Sequence, residues 1–123
     1  GKDIVKAIGR GLGPAVALRL LSDTYGFTLI DLRDYAGNEK ARHRIMGRVI
    51  GEHGRTKEII KEEVGADVVC YGHTVGVICA VDTLNYAMEA VFRIIEGSNH
   101  ASVYAYLETC RRKIKEAELK KLF

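Results

Sequence analysis

The 123-residue sequence has one proline and no run of about 18 apolar residues. It also has no positively charged stretch leading into an apolar one, so we expect neither a transmembrane helix nor a secretory signal. The content of 47% hydrophobic and 28% charged residues excludes a disordered chain. A chain of this length forms one domain, with or without a short appendage.

Cysteine is also scarce: Cys70, Cys79 and Cys110 are an odd number with no CxxC spacing. This pattern excludes a disulfide framework and a zinc site of the usual spacing. We therefore predict reduced thiols and a cytoplasmic protein.

Catalytic motifs are absent as well. None of the four histidines has metal-ligand spacing, and no serine lies in a GxSxG context. Carboxylates are spread among lysines and arginines, as on solvated helix faces. We therefore expect no enzyme, no metal and no cofactor.

Periodicity predicts a small α+β domain. Strands on either side of Gly72-His73 form a hairpin, and one distant strand completes a sheet that helices cover. The predicted elements are helix 14–23, strand 28–32, helices 42–50 and 55–64, strands 66–71 and 74–80, helix 82–96 (capped by Asp82) and helix 101–122.

The net charge of +3 is unevenly distributed. Residues 40–57 carry +5, residues 111–123 carry +4, and the rest of the chain carries −6. The second cluster lies on a helix whose apolar seam predicts intramolecular packing. Its basic face either extends the basic surface of the first cluster or is simply solvated. The seam comprises Val103, Leu107, Cys110, Ile114 and Ala117.

The first cluster surrounds the segment Gly51-Glu52-His53-Gly54, placed between two predicted helices. Glycines allow a phosphodiester to approach the backbone closely, and the N–H groups at a helix start favour an anion. Arg55 and Lys57 occupy the first turn against the helix dipole, which a bound phosphate would explain. The alternative is a plain turn between helices with a solvated basic face.

Residues 50–68, IGEHGRTKEIIKEEVGADV, resemble the core of a type I KH domain. The resemblance implies a three-stranded antiparallel sheet covered by three helices, with extra N-terminal and C-terminal helices. It divides the chain into the tail of a preceding KH module with a linker helix (1–26), the KH domain (27–97) and a basic amphipathic C-terminal helix (98–123).

The resemblance also implies a groove for single-stranded RNA, with Ile45, Val49 and Ile50 on one wall and Val68, Val69 and Cys70 on the other. Ile60 is expected below it, in the core. With the basic residues and the turn, the complete set of expected RNA contacts is Arg44, Ile45, Arg48, Val49, Ile50, Gly51, Glu52, His53, Gly54, Arg55, Lys57, Val68, Val69 and Cys70. We expect that replacing Gly51 and Gly54 by aspartate abolishes RNA binding without unfolding the domain.

Residues 3–11, 30–35 and 97–108 resemble one lineage more narrowly: archaeal relatives of the eukaryotic small-subunit assembly factor called partner of the NOB endonuclease. This implies binding near the 3′ end of small-subunit ribosomal RNA. The partners it implies are the NOB-type endonuclease and the α subunit of archaeal initiation factor two, with no membrane.

Glu52 places a negative charge where KH domains usually have Lys, Arg or Gly, and Lys57 occupies a usually apolar position. Glu52 favours one alternative, a protein-docking scaffold with a degenerate KH groove. A KH protein of RNA turnover or mRNA control is the other alternative.

Overall fold

The computed structural model describes residues 25–122, which form three strands and four α-helices. The predicted helix 14–23, and all but the last two residues of the predicted segment 1–26, lie outside these residues. Short 3₁₀ turns follow β1 and α1. The elements are β1 (Tyr25–Asp31), α1 (Glu39–Ile50), α2 (Arg55–Val64), β2 (Asp67–Tyr71), β3 (Thr74–Ala80), α3 (Leu84–Ile95) and α4 (His100–Leu122).

The strands form one antiparallel sheet in the order β1-β3-β2. Tyr71 pairs with Thr74, so the predicted hairpin about Gly72-His73 is confirmed. Cys70 pairs with Val75, four positions along β3 from Cys79. These two thiols are too far apart for a disulfide, as the sequence predicts.

The helices cover one face of this sheet. Val75, Val77 and Cys79, alternate residues of β3, are fully buried beneath them. In α3 the buried residues follow the spacing of one helix face: Ala87, Ala90, Val91 and Ile94. Ile60 is likewise fully buried, as expected. The predicted α+β fold with a helix-covered three-stranded sheet is confirmed.

Two predicted helix starts are wrong. α1 begins at Glu39, since the Asn38 side chain accepts a hydrogen bond from the Ala41 N–H (2.8 Å). α3 begins at Leu84, not at Asp82, and Thr83 is its N-cap. The Thr83 hydroxyl makes no cap bond and instead lies 3.1 Å from the Cys79 sulfur.

The predicted seam of α4 packs inward only in its first half. Val103, Leu107 and Cys110 are buried, whereas Ala117 is exposed. The helix therefore extends beyond the core as a basic, solvated segment. Of the helices in residues 25–122, none combines the length and apolarity needed to cross a membrane.

Candidate nucleic-acid interface

The connection between α1 and α2 is the segment Gly51-Glu52-His53-Gly54, which we call the GxxG turn. The Gly51 N–H donates to the Gly47 carbonyl (2.8 Å), and its φ of 81° and ψ of 165° end α1. His53 (φ 54°) and Gly54 (φ 75°) also have positive φ, which reverses the chain. Gly54 is the N-cap of α2 and provides no side-chain bond. The first N–H groups of α2 therefore lack a side-chain acceptor and suit an anion.

The two glycines of the turn have different surroundings. A Cβ on Gly51 would lie 2.2 Å from the Thr56 hydroxyl oxygen, whereas one on Gly54 would meet no atom within 4 Å. The fold therefore requires glycine at position 51. At position 54 the space beside the backbone is open, so a side chain there would meet no other atom. The expectation that the fold tolerates aspartate at both positions is wrong for Gly51.

Thr56 connects the GxxG turn to the C-terminal helix. Its side chain is 1% exposed, and its hydroxyl lies 2.9 Å from the Tyr104 hydroxyl. The Nε2 atom of His100 donates to the Arg48 carbonyl (3.0 Å), one turn before Gly51. Two contacts from the start of α4 therefore position both sides of the turn.

The variant Tyr104→Phe is expected to lose about 1–2 kcal/mol of unfolding free energy, because it leaves the buried Thr56 hydroxyl without its partner. Urea denaturation measures this loss. The matched control is Thr56→Val combined with Tyr104→Phe, which should lose less than the two single variants added together. An unchanged midpoint for Tyr104→Phe would show that this bond does not hold α2 against α4.

The Arg48 side chain is engaged within the protein. Its guanidinium donates to the carbonyls of Ile94 (3.4 Å) and Ser98, at the connection between α3 and α4. Because Arg44 and Arg48 are one helical turn apart, the sequence predicts that both contact RNA. Arg44 is exposed, but it does not line the cleft between α2 and β2 that is described next.

A cleft of about 430 Å³ lies between α2 and β2, and we call it the α2–β2 cleft. β2 is an edge strand, so its backbone is accessible for hydrogen bonds to base edges. Lys57 and Lys61, one helical turn apart, place two cations along the helix wall. The lining residues are His53, Gly54, Lys57, Glu58, Lys61, Ala66, Asp67, Val68 and Val69.

Lys61, Glu58 and Asp67 were not predicted. The i, i+4 spacing from Lys57 is the sequence signal that identifies Lys61. The Lys61 ammonium binds the Asp67 carboxylate at the start of β2. One of the two cleft cations is therefore already paired within the protein.

The predicted apolar walls are only partly present. Val49 is fully buried and Val68 is 4% exposed, so both side chains belong to the core. Ile45 and Ile50 are half-buried against the core, and neither lines the α2–β2 cleft. Val69 lines the cleft but is half-buried against Ile78, on the face of the sheet that the helices leave uncovered.

Cys70 follows Val69 on β2 and is half-buried. Burial raises the pKa of its thiol, and the nearby positive charge of Lys57 opposes that shift in pKa. The thiol is therefore protonated and uncharged near neutral pH, and it does not repel a phosphate. Cys70 directly follows Val69 in β2 but is not itself among the residues that line the α2–β2 cleft.

The charges at the tip of the GxxG turn are fully solvated. The side chains of Glu52 and His53 are 90% and 92% exposed, with 3.8 Å between the carboxylate and Nε2. Arg55 is exposed as well. An anion at the start of α2 would therefore lie near the guanidinium of Arg55, the imidazole of His53 and the carboxylate of Glu52.

These features identify the class of protein. Residues 26–112 match the family model for the second KH domain of PNO1, described as a eukaryotic-type KH domain (KH-domain type I). The match covers more than half of the chain, so the chain belongs to the type I KH-domain family. The resemblance found in the sequence is thereby confirmed, including its PNO1-type lineage.

Curated relatives are similar over most of the chain. A KH domain-containing protein of Methanocaldococcus jannaschii is 43% identical over 116 residues, covering 94% of this chain and 51% of the relative. The pre-rRNA-processing protein pno1 of Aspergillus fumigatus is 32% identical over 120 residues, covering 94% and 47%. The chain thus spans about half the length of these relatives.

Solved structures have the same fold. A crystal structure of a protein of unknown function from Aeropyrum pernix has a TM-score of 0.89 at 33% identity, covering 97% of this chain and 64% of that one. A crystal structure of an a/eIF2alpha–aDim2p–rRNA complex from Pyrococcus horikoshii has a TM-score of 0.82 at 42% identity, covering 91% and 61%.

Proposed function

We propose that this chain binds single-stranded RNA in the α2–β2 cleft, with the RNA backbone held at the GxxG turn. The observation that carries the proposal is the juxtaposition of three features. The first is the start of α2, whose N–H groups receive no side-chain hydrogen bond. The second is the open space around Gly54, and the third is the edge strand β2, which faces Lys57 across the cleft. A KH groove uses such a turn to hold the backbone of about four nucleotides.

The comparisons support ribosomal RNA as the target. One relative is named for pre-rRNA processing, and one similar structure is a complex with rRNA and a/eIF2alpha. We propose the 3′ region of small-subunit ribosomal RNA, with the α subunit of initiation factor two and a NOB-type endonuclease as partners. The chain then acts in the cytoplasm as a non-enzymatic assembly factor.

The site residues we propose are drawn from the GxxG turn and the α2–β2 cleft, with the chain neighbours Ile50, Arg55 and Cys70 and the exposed Arg44 of α1. They exclude the side chains of Ile45, Arg48, Val49 and Val68, which are engaged within the protein. The proposed contacts are Arg44, Ile50, Gly51, Glu52, His53, Gly54, Arg55, Lys57, Lys61, Val69 and Cys70.

A second function, a protein-docking scaffold with little RNA affinity, is favoured by the fully solvated carboxylate of Glu52 at the tip of the turn. This charge repels a phosphate at the start of α2. The two functions differ in how binding responds to salt, because phosphate contacts release counterions and protein docking on this surface need not.

The test is fluorescence anisotropy of a labelled single-stranded oligonucleotide from the 3′ end of small-subunit ribosomal RNA, titrated with the 123-residue chain. About three phosphate contacts predict a slope of log K against log salt of about −2. The same sequence in duplex form is the control and should bind more weakly, because its bases are paired. Binding of neither RNA at low salt would overturn the proposal and favour the scaffold.

A further inference from the structure

A cleft of about 350 Å³ lies at the end of the sheet where β1 finishes and β2 turns into β3, and we call it the sheet-end cleft. Its volume is within the range of small-molecule pockets. Neither α1 nor α2, both within the described residues, contributes a side chain to it, so it is separate from the α2–β2 cleft. The lining residues are Asp31, Arg33, Tyr71, Gly72, His73 and Thr74.

Three of these residues form one row across the sheet. Thr74 pairs with Asp31 on one side and with Tyr71 on the other. Thr74 precedes Val75, which is buried beneath the helices, so the row projects from the opposite face, the one that the helices leave uncovered. Adjacent strands lie about 4.8 Å apart, so about 10 Å separates the Cα atoms of Asp31 and Tyr71. That width suits a planar group between two side walls, each of which it would contact at about 3.5–4 Å.

The wall on the β1 side is a guanidinium held in a fixed plane. The Arg33 Nε and Nη2 atoms donate to the Asp31 carboxylate at 3.1 and 2.8 Å, and the Arg33 backbone N–H donates to it at 2.9 Å. These hydrogen bonds lower the pKa of Asp31 to about 2, so both partners are charged at neutral pH. The Arg33 side chain is still 58% exposed. Its flat faces are therefore open for stacking, while two of its three nitrogens already donate to Asp31.

The wall on the β2 side is an aromatic ring. Tyr71 is 55% exposed, the largest fraction among the tyrosines and phenylalanines of residues 25–122. The His73 imidazole also borders the cleft, 3.9 Å from the Asp31 carboxylate. A nucleobase stacks on aromatic rings and on guanidinium planes, and this cleft provides both. A phosphate would instead meet the Asp31 carboxylate, beside an ion pair that is neutral as a whole.

The sheet-end cleft is connected to the α2–β2 cleft along one strand. β2 runs from Asp67, which lines the α2–β2 cleft, to Tyr71, which lines the sheet-end cleft. These two ends of the strand are about 13 Å apart. An RNA strand that is held at the GxxG turn and follows the edge of β2 therefore reaches Tyr71 within a few nucleotides.

We propose that the sheet-end cleft binds one nucleobase of the RNA, stacked between the Tyr71 ring and the Arg33 guanidinium on the uncovered face of the sheet. This base lies beyond the nucleotides that the α2–β2 cleft holds. Stacking uses the π-face that every base has, so the site accepts any of the four bases. The inference rests on the proposed RNA binding and adds a second contact to it.

The test measures the affinity of the 123-residue chain for ribosomal oligonucleotides that share one core. The forms compared are the core alone, the core extended by a few nucleotides at its 5′ or its 3′ end, and the same extensions without their bases. The wild-type chain should bind one extended form about ten-fold more tightly than the core, as expected for one stacked base. The matching abasic extension should add about two-fold or less, since it supplies only sugars and phosphates.

Variants assign this gain to the sheet-end cleft. Tyr71→Leu should reduce the gain to about two-fold or less, because it removes the ring and keeps an apolar side chain, whereas Tyr71→Phe should keep the gain. Arg33→Met should reduce the gain as well, because it removes the guanidinium plane. Tyr35→Leu is the matched control, since Tyr35 is also exposed (46%) but lies outside the cleft, and it should keep the gain. Thermal unfolding of each variant establishes that the fold is intact.

Four results would overturn the inference. An equal gain from the abasic extension would show a phosphate contact, and a gain that Tyr71→Leu leaves unchanged would place the base elsewhere. A wild-type chain that binds the core but gains nothing from either extension would show that no base occupies the cleft. These three leave RNA binding at the GxxG turn standing. A chain that binds none of the oligonucleotides would overturn the proposed function together with this inference.

Discussion

Replacing Gly54 by aspartate is expected to weaken RNA binding about 30-fold while leaving the domain folded. The new carboxylate would lie at the start of α2, next to Glu52, where the proposed phosphate binds. Repulsion between two charges about 4 Å apart near a protein surface, reduced by salt, costs about 2 kcal/mol. No atom lies within 4 Å of the added Cβ, so the fold has room for it. Anisotropy titration with the ribosomal oligonucleotide measures the loss.

The matched control for this prediction is Gly54→Asn. Asparagine has nearly the same shape and tolerates the left-handed conformation of Gly54 (φ 75°), but it adds no charge. Both variants should unfold at nearly the same urea concentration, and asparagine should weaken RNA binding only a few-fold. Equal RNA affinities for the two variants would show that no phosphate lies at this turn.

The other large effect concerns stability. Gly51→Ala is expected to lose about 3 kcal/mol or more of unfolding free energy, because φ 81° with ψ 165° is a region almost restricted to glycine. The added Cβ would also lie 2.2 Å from the buried Thr56 hydroxyl oxygen. For a domain of this size, the melting temperature should fall by more than about 10 °C. Thermal unfolding followed by circular dichroism measures this shift.

Gly54→Ala is the control for the stability effect. It has positive φ but no clash, so it should lose only about 1 kcal/mol. Similar losses at the two positions would contradict the distinction that the structure draws between the two glycines. A sequence pattern of two glycines treats them as equivalent, because spacing does not show what lies opposite each one.

Much of the fold was predictable from local signals. The hairpin about Gly72-His73, the helix ending at Gly65 and the turn between α1 and α2 all follow from glycine positions and hydrophobic periodicity. The wrong start of α1 reflects capping by Asn38, one of several polar residues before that helix. The Thr83 hydroxyl, at the start of α3, lies near the Cys79 sulfur instead of capping the helix, a contact that exists only after folding.

Less of the candidate site was predictable. Periodicity identified the face of α1 that carries Arg44 and Arg48, but it does not show which element packs against that face. The α3–α4 connection takes up the Arg48 guanidinium through backbone carbonyls about 50 residues away in sequence. Lys61, which lines the α2–β2 cleft, was missed although its i, i+4 spacing from Lys57 is visible in the sequence.

By itself, the sequence determined the α+β fold, the type I KH family, the GxxG turn and the concentration of positive charge around it, since each depends on residues close together in the chain. Only the tertiary structure decided which of those charges face a cleft and which glycine the fold requires. These outcomes depend on contacts between distant segments, such as Thr56 with Tyr104, and such contacts follow from packing.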